Sequence, residues 1–394
     1  MRRLLFLIYA LVFLDEIVLL AIIPLLPTFS DKLDLTKLET GVFLASASVT
    51  TAIASLPVGL LADRIGARRL TLGAGAILAL SAAGQGLAGD FATLLASRVG
   101  FGIASSTIWT ASVAWLSDSA PAARRSSAVG AVIVVAGVAG IIGPGFAGLL
   151  AEHSGVATPF VVTAIAAAAI TIGLARSGPG GVATHEPLHP LETLRAAGAD
   201  RVIFAAFVAI LIGGIADSVV NLLAPLQLAA HGLSSGSIGL AFSASGGIFL
   251  VTSAAVARSG DRAVRLSAAG AAVLVLALSF LPVVAGTGTE AVISSVLVRS
   301  PFLAVLYTVA LPLAAAGAGR AGLGQGAVIG LMSLAWGLAT TIGPVAAGGL
   351  AEVAGEQVVY GAALGACLVA GTWILAAARG ARVASAASAQ TEPS

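Results

Sequence analysis

The sequence predicts an all-α membrane protein of twelve transmembrane helices in two pseudo-symmetric six-helix halves. Three observations predict it. Of the 394 residues, 58% are hydrophobic and only 10% charged, and a mean hydropathy of +1.04 requires that most of the surface be solvated by lipid. Apolar runs long enough to cross a hydrocarbon core of about 30 Å recur along the whole chain. Finally, GPGFAGLLAEHSG at 143–155 returns as GPVAAGGLAEVAG at 343–355, so the two halves repeat.

Taken in order, the spans fall near residues 4–29, 38–61, 69–88, 91–116, 126–151 and 156–175, then 201–229, 235–257, 264–286, 290–317, 323–350 and 356–378. Residues 1–177 form the N-terminal half and 201–379 the C-terminal half. Residues 178–200 form a central cytoplasmic loop carrying a short surface helix from Leu188, and the Ala/Ser-rich tail 380–394 is expected to be disordered. The N-terminal MRR and apolar run are too long, and too acidic, for a signal peptide, and read as a retained first span. Glycine, alanine and serine are abundant in the spans. Small residues let helix backbones approach where lipid supplies no hydrophobic drive.

Charge fixes the orientation. With the N-terminus inside, the cytoplasmic side collects the loop arginines from Arg2 and Arg3 through Arg64, Arg124, Arg176 and Arg258 to Arg382, against Lys32 and Lys37 outside. The asymmetry places both termini in the cytoplasm, in the inner membrane of a cell that has one. The net charge of +2 implies no nucleic-acid partner. Cys367 is the sole cysteine, so no internal disulfide exists. His153, His185, His189 and His231 all fall in loops and no HExxH occurs, so neither a metal, a cofactor nor an intramembrane enzyme is expected. The fold needs no partner chain and is expected to be a monomer.

Three carboxylates lie within spans. In the first, LLFLIYALVFLDEIVLLAIIPLLP from Leu4 to Pro27, Asp15 and Glu16 stand roughly 16 Å from the Leu4 end, near the bilayer centre. The third is Asp217 in the seventh span, one turn before Asn221 and two before Pro225. An ionisable group there is expensive unless it faces protein or water, which points to a cation or proton site, the alternative being a buried ion pair with arginine. Adjacent helical residues point about 100° apart, so only one of Asp15 and Glu16 faces a central cavity fully. Further matches near the 200-residue offset are Asp63-Arg64 with Asp261-Arg262, Asp90 with Glu290, Arg98 beside Arg299, and Pro24 with Pro225. Two six-span repeats suit a transporter that rocks around a site between them.

Particular motifs carry a family resemblance. GLLADRIGARRL, with Gly59, Asp63, Arg64, Gly66 and Arg68 in place, resembles the signature between the second and third spans of the major facilitator superfamily. RVGFGIASS, from Arg98 to Ser106, resembles its fourth-span motif, with Phe101 where glutamine is usual. AGIIGPGFAG, holding Gly143, Pro144 and Gly148, resembles the fifth-span motif of its antiporter subset. The first span from Leu14 to Pro27 resembles that of twelve-span drug/proton antiporters, above all the vesicular monoamine transporters. The chain departs from those in Ala224, which stands where their seventh span has an acid, and in lacking their acids in spans ten and eleven and their second-span lysine.

The resemblance implies a major facilitator fold and a proton-coupled antiporter that exports lipophilic organic cations, amines or drugs by alternating access. A proton-linked transporter of a neutral metabolite such as a sugar is the alternative, for which Asn221, Gln227 and Gln85 are a thin polar set. By the resemblance Asp15 takes substrate or proton, with Glu16 turned to a neighbouring helix, and Arg98 approaches both from the fourth span. Asp217 is expected to be a second proton site of different affinity. Tyr9, Phe101, Trp109 and Tyr307 offer π faces to a cation, or simply pack. Asp63 is expected to latch the cytoplasmic side on a neighbouring helix N-terminus, worth about 0.3–2 kcal/mol, unless the basic loop is only topological. Gly143, Pro144 and Gly148 serve close packing and kinking. Arg299 is expected to snorkel to the outer interface.

Overall fold

A computed structural model describes residues 2–121, 125–177, 200–260, 264–286, 288–320 and 325–391. The central loop with its expected helix from Leu188, the pair Asp261-Arg262 and the side chain of Asp63 lie outside the described residues. Among the described residues, twelve helices are long and apolar enough to cross a membrane.

The first seven helices and their connections follow from local chemistry. Helix α1 (Arg2–Leu33) contains Pro24 and Pro27 in its second half. Helix α2 (Lys37–Ile65) opens on a capping box in which Thr36 Oγ1 accepts from Glu39 N at 3.1 Å and Glu39 Oε2 from Thr36 N at 2.9 Å. At Gly66 φ is +87°, a conformation that glycine adopts without a Cβ penalty, and the chain turns into α3 (Ala67–Leu87). Asp90 caps α4 (Phe91–Thr107), its Oδ1 accepting from Thr93 N at 2.8 Å. Those bonds from Thr93 hold the Asp90 carboxyl below its ordinary value of 3.8, so the cap is complete above that pH and is lost as the carboxylate protonates below it. A π-helical turn, Ile108–Ser112, joins α4 to α5 (Val113–Ser119) within the fourth span. Helices α6 (Arg125–Ser154) and α7 (Ala157–Ala175) complete six spans.

In the second set come α8 (Arg201–Ala230), α9 (Ser235–Arg258), α10 (Leu266–Leu278), α11 (Leu281–Ala285), α12 (Thr289–Arg320), α13 (Gln325–Ala354) and α14 (Glu356–Thr391). Asp200 Oδ1 caps α8 by accepting from Val202 N and Ile203 N at 2.8 and 3.0 Å. The ninth span is broken between α10 and α11, where Pro282 sits in the first turn of the new helix and cannot donate to the carbonyl one turn back. Span limits otherwise lie within a few residues of those expected. Helix α14 runs through to Thr391, and its Ala-rich end is a strongly helix-forming sequence.

Two compact units emerge, one of residues 1–186 with 225–246, the other of 187–224 with 247–394. One break, between 186 and 187, lies within 178–200, and residues 225–246 group with the first unit, where Ser235 and Ser243 bond α6. In the first unit α1 packs on α6 and α7, α2 on α4, and α3 on α4 and α7, around Ile8, Leu11, Leu78, Phe101, Ile108 and Trp115. Helices α2 and α4 touch backbone to backbone at Gly102, where a Cβ would lie 2.6 Å from the carbonyl oxygen of Ala47 and 2.8 Å from Thr50 Cβ. A carbonyl on a packed helix cannot move aside as a flexible side chain would. Gly102→Val is therefore expected to lower stability by about 1–3 kcal/mol in detergent-melting measurements. In the second unit α10 packs on α12 and α14, and α13 on α12 and α14, with a core of Ile203, Ala206, Ile210, Ala310, Met332 and Ala335.

Candidate functional site

Asp15 lies on α1 with no solvent exposure. Ser105 Oγ donates to its Oδ2 at 3.0 Å, while Oδ1 has no hydrogen-bond partner. Trp109, one turn beyond Ser105 and at the start of the π-helical turn, stands beside both Asp15 and Glu16. Serine and tryptophan four residues apart share one helix face, so the fourth span presents a hydroxyl and an indole to the two acids. Glu16 is only part-buried. Asp15 is thus sealed, with Ser105 of the fourth span as its donor, while Glu16 keeps some exposure.

Arg98, two turns before Ser105 on the same helix, is 1% exposed. It does not bond the first-span acids. Its Nη1 donates to Gln85 Oε1 at 3.4 Å and to the Val18 carbonyl at 3.5 Å, and Nη2 to the Leu19 carbonyl at 3.5 Å. The guanidinium lies over two phenyl rings, 5.6 Å from the centroid of Phe43 and 5.0 Å from that of Phe101, an electrostatic attraction that strengthens with desolvation. Phe101 therefore serves the protein's own cation. Its replacement of glutamine leaves Gln85, from α3, as the nearest amide. Asp15 and Arg98 are thus each hydrogen-bonded by neutral groups and act on each other without touching.

The second unit solves the same problem differently. Asp217 and Asn221, four residues apart on α8, face Arg299 on α12. Arg299 Nη1 donates to Asp217 Oδ1 in a close ion pair, and Nη2 to Asn221 Oδ1 at 3.0 Å. Asn221 Nδ2 in turn donates to Asp217 Oδ2 at 2.9 Å, closing a ring of three side chains. The side chain of Arg299 is 6% exposed and that of Asp217 28%, so Arg299 does not snorkel. A signal for this pair was present: Arg98 to Arg299 and Pro24 to Pro225 share an offset of 201 residues, and Glu16 plus 201 is Asp217. Repeated register placed an acid and an arginine on corresponding spans of each half.

The remaining predicted residues are placed as follows. Tyr9 donates to the Ala128 carbonyl at 3.0 Å, and Tyr307 packs on Phe249 with ring centroids 6.3 Å apart. In the loop motif Arg64 is exposed, and Arg68 Nη2 donates to the Ala175 carbonyl at 2.6 Å, closing the C-terminus of α7 with a positive charge. In the fifth-span motif Gly143 packs against Ile17 and Leu20 of α1. Beyond Pro144 the motif faces the start of α9. Gly145 N donates to Ser243 Oγ at 2.9 Å and Ser235 Oγ to the Gly148 carbonyl at 3.0 Å. One turn after the motif, Glu152 Oε2 accepts from Ser234 Oγ at 2.9 Å and Gly236 N at 3.1 Å. The repeated Glu152 is thus a cap on α9, a role that the repeat alone did not disclose.

Residues 5–328 match the sequence model of the Major Facilitator Superfamily. The chain belongs to this superfamily. Superfamily membership and the twelve apolar helices make it a multi-pass membrane transporter and not an enzyme. Among relatives, the MFS-type transporter ppzB of Metarhizium rileyi is 26% identical over 158 residues, 39% of this chain and 33% of the relative. Quinolone resistance protein NorA of Staphylococcus aureus is 28% identical over 155 residues, 39% of this chain and 40% of NorA. The matched stretch is thus well under half of either relative. Two solved structures each match over 95% of this chain and 96% of their own. A bacterial homologue of the human lysosomal transporter Spinster, inward-facing and occupied, has TM-score 0.75 at 14% identity. A POT family transporter in complex with 5-aminolevulinic acid has TM-score 0.77 at 13% identity. At such identities the likeness is one of fold.

Proposed function

We propose that this superfamily member is a proton-coupled antiporter that exports lipophilic organic cations, in the inner membrane, with both termini in the cytoplasm. One observation carries the proposal. Of the two carboxylate sites, that of Asp217 is in direct contact with Arg299, whereas Asp15 takes a hydrogen bond from Ser105 and has one oxygen unpartnered, with Arg98 acting on it through space and not as a contacting counter-ion. A desolvated carboxylate without a contacting counter-ion is best satisfied by a proton or by an arriving cation, which makes the two competitors for one site. Trp109, a side-chain hydrogen-bond donor beside both first-span acids, brings an aromatic ring to the site, a group that attracts organic cations. The partial similarity to a quinolone resistance protein favours drug-like substrates over a sugar.

The expectation of two proton sites narrows to one. Exchange of one proton for one monovalent cation moves no net charge, so the pH gradient drives it by about 1.4 kcal/mol per unit. Membrane potential should not. In proteoliposomes, uptake of a cationic dye is expected to follow an imposed pH gradient and to ignore a potassium-diffusion potential. Voltage-driven uptake at equal pH on both sides would point to a second titrating acid, and uptake of a neutral sugar alone would favour the metabolite reading.

A further inference from the structure

In the second unit, α8 and α14 leave an open groove of about 380 Å³ between them. Phe204, Val208 and Ile212 line it along one helix, and Ala366, Val369, Ala370 and Trp373 along the other. The α8 residues recur every four positions and the α14 residues every three or four, so each helix contributes one continuous stripe. No polar side chain lines it. Yet it is not closed over as a core would be: Phe204 is 43%, Trp373 41% and Val369 71% exposed. At one end Phe204 and Trp373 meet edge to face, with centroids 5.6 Å apart and planes at 87°.

The charges beyond that aromatic end decide what the groove accepts. The two helices run antiparallel along it, since Phe204 meets Trp373 while Ile212 and Ala366 lie at the far end. The start of α8 and the later turns of α14 therefore emerge together. Arg201 precedes Phe204 by three residues, on the same stripe, and Arg379 follows Trp373 by six; both are exposed. The neighbouring acid, Asp200, is turned into the start of α8, where it accepts from Val202 N and Ile203 N. An apolar trough roughly 12 Å long thus ends in an aromatic pair, with Arg201 in line beyond it and Arg379 about 120° round α14 from the stripe, one to two turns further on. Aromatic rings mark the level of lipid headgroups, and basic side chains just beyond them attract anionic ones.

We propose that the α8–α14 groove is a binding site for an anionic phospholipid. One acyl chain lies along the apolar stripe, and the phosphate is held by Arg201 and Arg379. A sterol or neutral lipid fits the trough but leaves the two charges unused. The site is separate from Asp15 and Asp217, and it does not depend on the identity of the transported substrate.

Native mass spectrometry of the delipidated full-length protein, titrated with phosphatidylglycerol and with phosphatidylcholine of identical chains, tests this. The wild type should retain one phosphatidylglycerol in preference to phosphatidylcholine. A basic residue near the headgroups is worth about fivefold in affinity, so Arg201→Ala with Arg379→Ala should weaken phosphatidylglycerol by roughly 25-fold and phosphatidylcholine, whose phosphate charge is offset by its own choline, by much less. Both arginines are exposed, so the variant should fold. Ala366→Phe, which fills the trough, should reduce retention of both lipids, with an unchanged melting temperature confirming that it is folded. Equal retention of the two lipids by the wild type, or a phosphatidylglycerol preference that survives loss of both arginines, would overturn the proposal. So would a folded Ala366→Phe variant that retains phosphatidylglycerol as well as the wild type, since the acyl chain would then lie elsewhere.

Discussion

Arg299→Ala is expected to destabilise the protein by about 3 kcal/mol, the lower end of the range for removing one partner of a buried ion pair. The lower end applies because the Asp217 side chain keeps 28% exposure, and water can partly solvate the abandoned carboxylate. Asn221 cannot replace the lost charge, since its amide already donates to Asp217 Oδ2. The double variant Arg299→Met with Asp217→Leu should recover most of the loss, because replacing a whole buried pair by apolar groups is commonly close to neutral. Melting curves of Arg299→Met, Asp217→Leu and the double variant form, with the wild type, a thermodynamic cycle whose coupling term isolates the pair. A melting curve for Arg299→Ala that coincides with the wild type would show that the ring of three contributes nothing, and Asp217 would again be available as a proton carrier.

How far the sequence discloses this molecule depends on which residues carry the information. Span number and limits are legible because lipid imposes one requirement, a long apolar helix, that a single chain displays without its neighbours. The broken ninth span is legible in retrospect at Pro282, which denies the helix a donor. The π-helical turn at Ile108–Ser112 is not, since no proline or glycine lies within it. The site was half legible. Three acids and two arginines inside apolar spans announce themselves by cost, but which arginine meets which acid depends on helix rotation. A rotation of one residue, about 100°, is enough to exchange the surroundings of Asp15 and Glu16. Arg98 illustrates the same limit. Its distant partners, Gln85 on α3 and the Val18 and Leu19 carbonyls on α1, are recognisable as partners only once three helices are packed. Glu152 was visible as a repeat yet not as a cap, because its acceptors' donors lie more than 80 residues away, at Ser234 and Gly236.

Asp15→Asn is expected to abolish coupled transport while leaving the protein folded. Asparagine has the shape of aspartate and can still accept from Ser105 Oγ, which lies 3.0 Å from Asp15 Oδ2, so the packing of α1 against α4 has no reason to change. What it cannot do is exchange a proton for a cation. With one proton exchanged per monovalent cation, a gradient of two pH units sustains a concentration ratio of about 100-fold at equilibrium, tenfold per unit. In the Asp15→Asn variant the ratio should fall to about one. Glu16→Gln is the informative comparison, because Glu16 sits on the adjacent position, beside the same Trp109 indole, but keeps partial exposure. It should slow transport and retain the gradient-driven ratio. If Glu16→Gln collapses the ratio and Asp15→Asn preserves it, the coupling proton belongs to Glu16, the residue whose register matches Asp217 in the other half. Retention of the full ratio by both variants would exclude the first-span acids from coupling altogether.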